Sequence, residues 1–258
     1  MKTMRFDQAL VALGYYESRE KAQRALLAGE LEANGMRDIK PGQKINLKPG
    51  ENDEMAICFG TKFVNITVRE KSPYVSRGAY KLAAALDAFK IEPKDMLVLD
   101  IGASTGGFTD CVLQRGAKKV YAVDCGYGQL HDKIRNDQRV ISLEKTNARF
   151  ITNEQIKEVP ELVVVDVSFI SLKLILPAIQ LVSKAGTIVV TLVKPQFEVG
   201  RDKIRKGGVV TDPQARLNAV EMIKEEMLKL NWKILGMIES PIIGPAGNHE
   251  FLIGAIIE

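Results

Sequence analysis

Four ionisable residues occur where predicted helices and strands begin or end, and their types are those of an acid–base site. They are Lys81, Asp166, Lys194 and Glu250. Asp166 and Lys194 each follow a nearly continuous apolar run, so burying either charge would be costly unless the side chain reaches a polar crevice. A buried lysine beside carboxylates can be held in place and its pKa adjusted. The set therefore predicts a site that orients a weakly acidic hydroxyl group and removes its proton.

A glycine-rich turn follows the apolar segment that ends at Asp100. The turn and its flanks comprise Asp100, Gly102, Ala103, Ser104, Thr105, Gly106, Gly107 and Phe108. Small residues between a strand and a helix let a ligand approach backbone N–H groups closely, which favours an anionic or zwitterionic ligand. The glycine spacing differs from the dinucleotide fingerprint, and no P-loop lysine followed by Ser or Thr is present. These differences disfavour NAD and nucleoside triphosphates.

Asp124 ends the next predicted strand, where an acid can accept hydrogen bonds from both ribose hydroxyls of an adenosyl group. Together with the glycine turn and Asp166, it predicts a site for S-adenosylmethionine. Asn147, just beyond the third predicted strand, is expected to face the adenine, and its alternative role is a turn or helix cap. A glycine turn can also simply join a strand tightly to a helix, but the ordered combination favours a cofactor site.

Methyl transfer to a ribose hydroxyl needs the oxygen in line with the sulfonium methyl and relieved of its proton as attack proceeds. In this scheme Lys194 orients or deprotonates the oxygen, while Asp166 and Glu250 hold the lysine ammonium. Lys81 positions the substrate or stabilises charge that develops on the oxygen, and no metal ion is required. Simpler interpretations remain for two residues: Lys81 as a solvated helix residue, and Glu250 as an edge-strand charge that discourages aggregation.

These residues need a scaffold whose strand ends meet at one edge. Seven apolar, strand-like segments cover residues 96–100, 120–124, 140–143, 162–166, 187–193, 233–239 and 250–257. Helical patterns separate them at residues 77–89, from the glycine turn through 113, near 154–157, at 172–182 and at 213–230. Such alternation predicts an α/β domain with a parallel sheet, helices on both faces and a site at the carboxyl ends of the strands. The last two segments predict a terminal hairpin.

The first part of the chain has a different texture. Short helices are predicted at residues 5–13 and 18–28, with Ser18 as an N-cap and Gly29 as a left-handed C-cap. Strand-like pieces follow at 31–33 and 44–47, and Asn34-Gly35 is a strong hairpin signal. The predicted division is a small α+β domain at residues 1–60, a linker at 61–75 and the α/β domain at 76–258.

Composition excludes several classes of protein. The chain has 258 residues, and its 36 Lys and Arg against 32 Asp and Glu make it only mildly basic. Three cysteines without metal-ligand spacing argue against a disulfide scaffold or structural zinc. No apolar signal region or spanning segment occurs, so a cytoplasmic protein that does not enter the membrane is expected.

The residues of both predicted sites occur within blocks that closely resemble the TlyA family, haemolysin-labelled proteins of the FtsJ-like class of ribose 2′-O-methyltransferases. The blocks are residues 76–82, 100–109, 123–130, 166–172, 193–198 and 247–250. The resemblance implies a Rossmann-like, S-adenosylmethionine-dependent methyltransferase domain with a mostly parallel seven-stranded sheet. It also implies that Lys81, Asp166, Lys194 and Glu250 form the catalytic tetrad, and that the acceptor is a cytidine ribose in ribosomal RNA. Longer family members continue past the final strand, which leaves open whether one or both ribosomal subunits are modified.

The N-terminal segment is similar to the RNA-binding domain of the fourth small-subunit ribosomal protein. This similarity implies ribosomal RNA or ribosomal subunits as the partner and leaves the oligomeric state open. The cationic residues expected to contact RNA are Arg5, Arg19, Lys21, Arg24, Lys71 and Arg77. A further basic loop at residues 200–208 is expected to close over bound RNA, and its alternative is a disordered, solvated loop.

Three rival functions remain at this point. A membrane-active haemolysin would need an amphipathic or spanning segment, and the amphipathic helix predicted at residues 213–230 is explained by packing on the sheet. A non-catalytic RNA-binding assembly factor would have no need to keep the glycine turn and all four polar positions. A small-molecule methyltransferase would leave the RNA-binding-like module without a role.

Overall fold

The computed structural model describes residues 2–34, 36, 39–49, 55–60, 62–68, 72–244 and 247–258. The chain divides into two compact units, Met1–Arg77 and Gly78–Glu258. The elements of the first unit are β1 (Lys2–Arg5), α1 (Phe6–Ala12), α2 (Arg19–Ala28), β2 (Leu31–Ala33), β3 (Lys44–Pro49), β4 (Met55–Phe59), β5 (Lys62–Phe63) and β6 (Ile66–Val68). Strands β1, β3, β4 and β5 form one antiparallel sheet in that order, and β2 pairs with β6.

The two helices of the first unit close over a small apolar core. Phe6 and Leu10 from α1 and Leu26 from α2 are buried together with Ile45 and Ile57 of the sheet. Helix α2 has the predicted caps at both ends. The Ser18 hydroxyl accepts a hydrogen bond from the Lys21 N–H, and Gly29 closes the helix with φ of +73°.

The residues on either side of the predicted Asn34 turn pair with each other as in a two-residue hairpin. The Ala33 N–H donates to the Met36 carbonyl at 2.9 Å, and the Met36 N–H donates to the Ala33 carbonyl at 3.0 Å. Strand β2 also pairs with β6, and the ladder continues at Asn34, whose N–H donates to the Asn65 carbonyl at 3.0 Å and whose side-chain oxygen accepts from the Asn65 N–H at 2.9 Å. The turn is thus also bonded to a segment 31 residues away. Gly35 lies outside the described residues, and β1 was not predicted.

The second unit is built on a seven-stranded sheet in the order β12-β13-β11-β10-β7-β8-β9. Its strands are β7 (Leu97–Ile101), β8 (Lys119–Val123), β9 (Val140–Leu143), β10 (Leu162–Val165), β11 (Ile188–Val193), β12 (Trp232–Glu239) and β13 (Phe251–Ile257). Its α-helices are α3 (Gly78–Phe89), α4 (Gly107–Gln114), α5 (Asp132–Arg135), α6 (Leu176–Val182), α7 (Pro195–Glu198) and α8 (Pro213–Lys229). Strands β7 to β11 pair in parallel, and β13 runs antiparallel to β11 and β12. The predicted fold class and the terminal hairpin are confirmed.

Helices cover both faces of this sheet. On one face α6 and α8 pack against the central strands, and residues such as Ile179 and Ile223 are fully buried there. On the other face the Phe89 ring of α3 lies against the backbone of β13. A Cβ at Gly254 would come within 2.7 Å of that ring, so glycine permits the close approach. The sheet therefore holds its strand ends in a rigid frame.

Two predicted helices differ in the structure. Residues 154–157 form a turn, because the Gln155 side chain accepts a hydrogen bond from the Thr152 N–H and Pro160 follows shortly after. The predicted helix at 172–182 is divided into a 3₁₀ turn at Leu172–Leu174 and helix α6. Pro177 lies in the first turn of α6, where its missing N–H costs nothing. Across the described residues, no helix is long and apolar enough to cross a membrane.

Candidate active site

A cavity of about 450 Å³ opens at the carboxyl ends of the parallel strands. Five of the predicted cofactor residues line it, namely Gly102, Ser104, Asp124, Asn147 and Asp166. Its other walls come from Val123, Cys125, Gln129, Thr146, Ala148, Val167, Ser168, Phe169, Ile170 and Ile175. A concave, largely apolar cavity of this volume with a few polar groups suits a small-molecule ligand.

The glycine turn brings the end of β7 against the end of β10. Gly102 has φ of +85°, and a Cβ there would lie 2.4 Å from the Asp166 carbonyl oxygen. The Gly102 N–H donates to the Val123 carbonyl at 2.8 Å, which fixes the turn on strand β8. A larger residue at this position would both strain the backbone and displace the neighbouring strand end.

The Asp124 carboxylate is oriented by two backbone donors. The Ser104 N–H donates to Oδ2 at 2.8 Å, and the Gly126 N–H donates to Oδ1 at 2.7 Å. Each carboxylate oxygen can accept more than one hydrogen bond, so both keep capacity for a ligand hydroxyl. Asn147 also lines the cavity, while its side chain caps a 3₁₀ turn by accepting from the Arg149 N–H at 3.1 Å. The capping role predicted as the alternative for Asn147 is therefore present.

Asp100 lies behind the cavity wall and is fully buried. The Thr109 hydroxyl donates to its Oδ2 at 2.6 Å, whereas its Oδ1 has no hydrogen-bond partner among the described residues. Burial raises the pKa of Asp100 to about 7, with the Thr109 bond opposing it and the nearby Asp166 charge adding to it. The remaining predicted cofactor residues also do not line the cavity: Ala103, Thr105, Gly106, Gly107 and Phe108.

The four predicted catalytic residues form two ion pairs. Lys194 pairs with Asp166, and its Nζ donates to the Ser168 hydroxyl at 2.8 Å. Lys81 pairs with Glu250 at 2.6 Å, and the Glu250 side chain is completely buried. The sequence predicted that both carboxylates would hold Lys194, but Glu250 binds Lys81 instead. Each lysine thus has a carboxylate partner of its own.

Strand register explains why these residues are close together. Val193 pairs with Phe251 across the β11–β13 ladder, so Lys194 and Glu250 stand next to each other at the same edge of the sheet. Val165 pairs with Thr191 between β10 and β11, which brings Asp166 to that edge as well. Parallel and antiparallel pairing together therefore assemble one polar cluster beside the cavity.

Comparison with known proteins identifies the family of this fold and site. Residues 74–256 match the model of the FtsJ-like methyltransferases. The chain belongs to the FtsJ-like methyltransferase family. Membership confirms the predicted enzyme class and implies S-adenosylmethionine as the methyl donor.

The relatives of this FtsJ-like methyltransferase extend over both units. The chain is 43% identical over 96% of its length to the 16S/23S rRNA (cytidine-2′-O)-methyltransferase TlyA of Mycobacterium tuberculosis, and it covers 88% of that protein. It is 41% identical over 98% of its length to Hemolysin A of Brachyspira hyodysenteriae, of which it covers 100%. A solved structure from Streptococcus thermophilus, named as a hemolysin, matches 100% of this chain and 89% of its own with a TM-score of 0.74 and 41% identity. The predicted resemblance to TlyA proteins is confirmed.

One aromatic side chain of the FtsJ-like site was not found from the sequence. Phe169 follows β10 and lines the cavity, yet its side chain is 91% exposed. Its φ of +64° is uncommon for a bulky residue, and its ring lies 5.2 Å from the Phe197 ring. The sequence around Phe169 does not indicate that its side chain is exposed, because large aromatic side chains are mostly buried.

A half-buried glutamate, Glu198, joins the two segments that follow Asp166 and Lys194. The Ser171 hydroxyl donates to Glu198 at 2.5 Å, and the Leu172 N–H donates to it at 2.9 Å. Burial raises the pKa of Glu198, and these hydrogen bonds oppose the increase. The segment after β10 and helix α7 after β11 are therefore held together.

The predicted RNA-contacting cations lie in the N-terminal unit of the FtsJ-like protein, and two of them share a buried carboxylate. Arg5 and Arg19 donate to Asp7 at 2.9 and 3.1 Å, and Gln23 donates at 2.6 Å. Burial alone would raise the pKa of Asp7, but the hydrogen bonds from Arg5, Gln23 and Arg19 outweigh it and hold the pKa well below its usual range. Both arginine side chains remain about half exposed.

The other cations of this predicted set have different surroundings. Lys21 forms an ion pair with Glu17 on the exposed face of α2. The aliphatic part of the Arg77 side chain packs against Gly29, where a Cβ would lie 2.4 Å from its Cδ. Arg24 belongs to α2 and also interacts with a neighbouring residue. Lys71 lies outside the described residues.

Proposed function

We propose that this chain transfers the methyl group of S-adenosylmethionine to the ribose 2′-hydroxyl of a cytidine in ribosomal RNA. The observation that carries the proposal is the pair of nearly buried lysine–carboxylate ion pairs beside a cavity of cofactor size. The identity of 43% to a relative named as an rRNA (cytidine-2′-O)-methyltransferase supports the same acceptor. A ribosomal substrate would place the enzyme in the cytoplasm.

The residues around the cavity fit S-adenosylmethionine. Gly102 lets the ends of β7 and β10 approach each other closely at the cavity wall, and Asp124 has free acceptor capacity for two ribose hydroxyls. Asp100 contributes a buried oxygen without a partner among the described residues, next to the turn. We assign Asp124 to the ribose, Asn147 to the adenine side and the glycine turn to the methionyl part. When bound, the cofactor supplies an electrophilic methyl group on its sulfonium.

The two ion pairs give each lysine a separate task. Lys194, oriented by Asp166 and Ser168, binds the 2′-oxygen and stabilises its negative charge as the hydroxyl proton passes to solvent water and the oxygen takes the methyl group. Lys81, fixed by Glu250, positions the acceptor nucleotide. Because both ammonium groups are largely removed from water, their interaction with a developing oxyanion is stronger than it would be on the surface.

RNA would be bound by both parts of the chain. We propose the first unit, Met1–Arg77, as an RNA-binding domain and the second, Gly78–Glu258, as the methyltransferase domain, since β5 and β6 lie within the stretch 61–75 that the sequence suggested as a linker. The first would hold ribosomal RNA through phosphate contacts of Arg5, Arg19, Lys21, Arg24, Lys71 and Arg77. At the cavity, the exposed ring of Phe169 would stack on the base of a nucleotide turned out of its helix.

The decisive experiment is transfer of a labelled methyl group from S-adenosylmethionine to purified small and large ribosomal subunits, tested separately. The modified position is then mapped as a 2′-O-methylated ribose. Incorporation at a single cytidine that is lost in Lys194→Ala establishes the activity and identifies the subunit. Proven cofactor binding without incorporation into either subunit contradicts the proposal. Lysis of red blood cells by the same preparation tests the activity that the hemolysin names suggest.

A further inference from the structure

The segment after helix α7 carries four exposed cations without a polar partner among the described residues. They are Arg201, Lys203, Arg205 and Lys206. With Asp202 as the only acid in residues 201–206, the formal charge is 4 − 1 = +3. Within the described parts of the chain, none of these four side chains forms an ion pair or hydrogen bond. Other basic residues of the second unit do, namely Lys81, Lys194, Lys173 and Arg216. A concentration of unneutralised charge is a suitable surface for phosphate groups.

This segment has a defined backbone. A 3₁₀ turn at Arg201–Lys203 leads into a tight turn closed by hydrogen bonds from the Arg205 N–H to the Val209 carbonyl at 2.9 Å and from the Gly208 N–H to the Arg205 carbonyl at 3.0 Å. Gly207 and Gly208 provide the left-handed conformations that such a turn needs. We call residues 201–209 the basic hairpin.

A buried asparagine fastens the basic hairpin to the catalytic edge. Asn248 accepts a hydrogen bond from the Val210 N–H at 3.0 Å and donates to the Gly208 carbonyl at 2.9 Å. Its residue is only 2% exposed and precedes Glu250 by two positions. At the other end, the short helix α7 connects the hairpin to Lys194. The hairpin is therefore attached on both sides to residues of the two ion pairs.

We propose that the basic hairpin binds the phosphates of the RNA strand next to the acceptor ribose, and that Asn248 is the positioning residue that keeps it there. This proposal rests on the proposed function, since RNA is taken as the substrate. Phosphate contacts fix the register of a nucleic acid without reading its sequence, so they would place one ribose beside Lys194. The backbone of the hairpin is already held by Asn248 and by its own turn hydrogen bonds, so little backbone entropy is lost on binding, which favours contact.

A matched pair of charge variants tests the hairpin. K203Q/R205Q/K206Q removes three charges from it, and K94Q/K118Q/K184Q removes three exposed charges that precede β7, β8 and β11 at the opposite edge of the sheet. Binding to purified ribosomal subunits is measured over a series of salt concentrations. We expect the hairpin variant to bind about 10- to 100-fold more weakly, with a log–log salt slope smaller by about 0.7–0.9 for each lost phosphate contact. The control should keep both the affinity and the slope of the parent.

Two further measurements test the positioning role of Asn248 and separate the hairpin proposal from the proposed function. Asn248→Ala should reduce the RNA affinity and the salt slope in the same direction, while the affinity for S-adenosylhomocysteine stays unchanged, because the hairpin is displaced but the cofactor cavity is intact. Equal RNA binding by the hairpin and control variants would overturn the hairpin proposal, even if the parent methylates a subunit. Absence of methylation by the parent contradicts the proposed function, and the binding comparison still decides the hairpin's role.

Discussion

Lys81 and Glu250 are 169 residues apart in the chain, yet their Nζ and Oε2 atoms form a buried ion pair of 2.6 Å. The pair joins helix α3 to the start of strand β13, and Gly244 leaves the space for the carboxylate, since a Cβ there would lie 2.2 Å from Oε1. A contact of this kind combines two functions. It holds an ammonium group at the edge of the active site, and it connects the first helix of the second unit to its last strand.

Removing one partner of this pair should destabilise the protein strongly. Glu250→Gln leaves the Lys81 ammonium buried without a counter-charge, so we expect a loss of about 3–5 kcal/mol in the free energy of unfolding. Lys81→Met combined with Glu250→Gln should recover part of that loss. Urea unfolding measures both, and Glu221→Gln in the exposed Lys224–Glu221 pair is the control, with an expected loss below about 1 kcal/mol. Equal effects of the buried and exposed changes would contradict this account.

Lys194→Ala should separate catalysis from binding. The side chain acts on the acceptor oxygen, so methyl transfer at saturating RNA and cofactor should fall by about 10²- to 10⁴-fold. Binding of S-adenosylhomocysteine and of ribosomal subunits should persist, as isothermal titration and filter binding would report. Lys173→Ala, which removes a lysine paired with Glu226, should leave turnover unchanged. Turnover like that of the parent in Lys194→Ala would remove this residue from the mechanism.

Gly102→Ala should block the cofactor site. Its Cβ would come within 2.4 Å of the Asp166 carbonyl at a φ of +85°, so the strand ends must separate. We expect the affinity for S-adenosylhomocysteine to fall about tenfold or more, equivalent to about 1.4 kcal/mol. Gly186→Ala is the control, because Gly186 has a similar φ of +89° but nothing within 4 Å of the added Cβ. It should lose about 1–2 kcal/mol of stability and keep the affinity, and a similar loss of affinity in both would refute the steric explanation.

Asp100 should make the stability depend on pH. The pKa of Asp100 is raised from 3.8 to about 7, so the folded state binds more protons than the unfolded state between these values. The free energy of unfolding contributed by this group therefore falls as the pH rises from about 4 to about 7. Asp100→Asn removes the titration and keeps an acceptor for Thr109. Urea unfolding should favour the variant over the parent more strongly at pH 8 than at pH 5, whereas parallel pH curves would count against the raised pKa.

Two substitutions of Phe169 test separately its backbone strain and the contact of its ring with the acceptor base. Phe169→Gly relieves the positive φ, so its free energy of unfolding should exceed that of Phe169→Ala by about 1 kcal/mol. Both variants lose the exposed ring, and the KM for RNA should rise by the equivalent of about 1–3 kcal/mol of stacking. Steady-state methylation and thermal unfolding measure the two effects. A KM equal to that of the parent in both variants would exclude contact between Phe169 and the acceptor base.

Most of the local structure follows from short stretches of the sequence. The caps of α2 at Ser18 and Gly29, the glycine turn at Gly102 and the order of strands and helices were all predictable, because each depends on residues a few positions apart. Parallel strands expose their carboxyl ends at one edge, so the sequence also predicted that Asp166 and Lys194 would lie near the glycine turn.

Which of these side chains are in contact depends on the tertiary structure. It pairs Glu250 with Lys81 instead of Lys194, adds Ser168 as a partner of Lys194 and bonds Asn34 to the distant Asn65. It also exposes Phe169. These contacts depend on strand register and on how α3 packs against the sheet, and both follow from the burial of the whole core and not from any short segment. Local preferences specify the elements, whereas packing of the complete sheet selects the contacts between residues far apart in the chain.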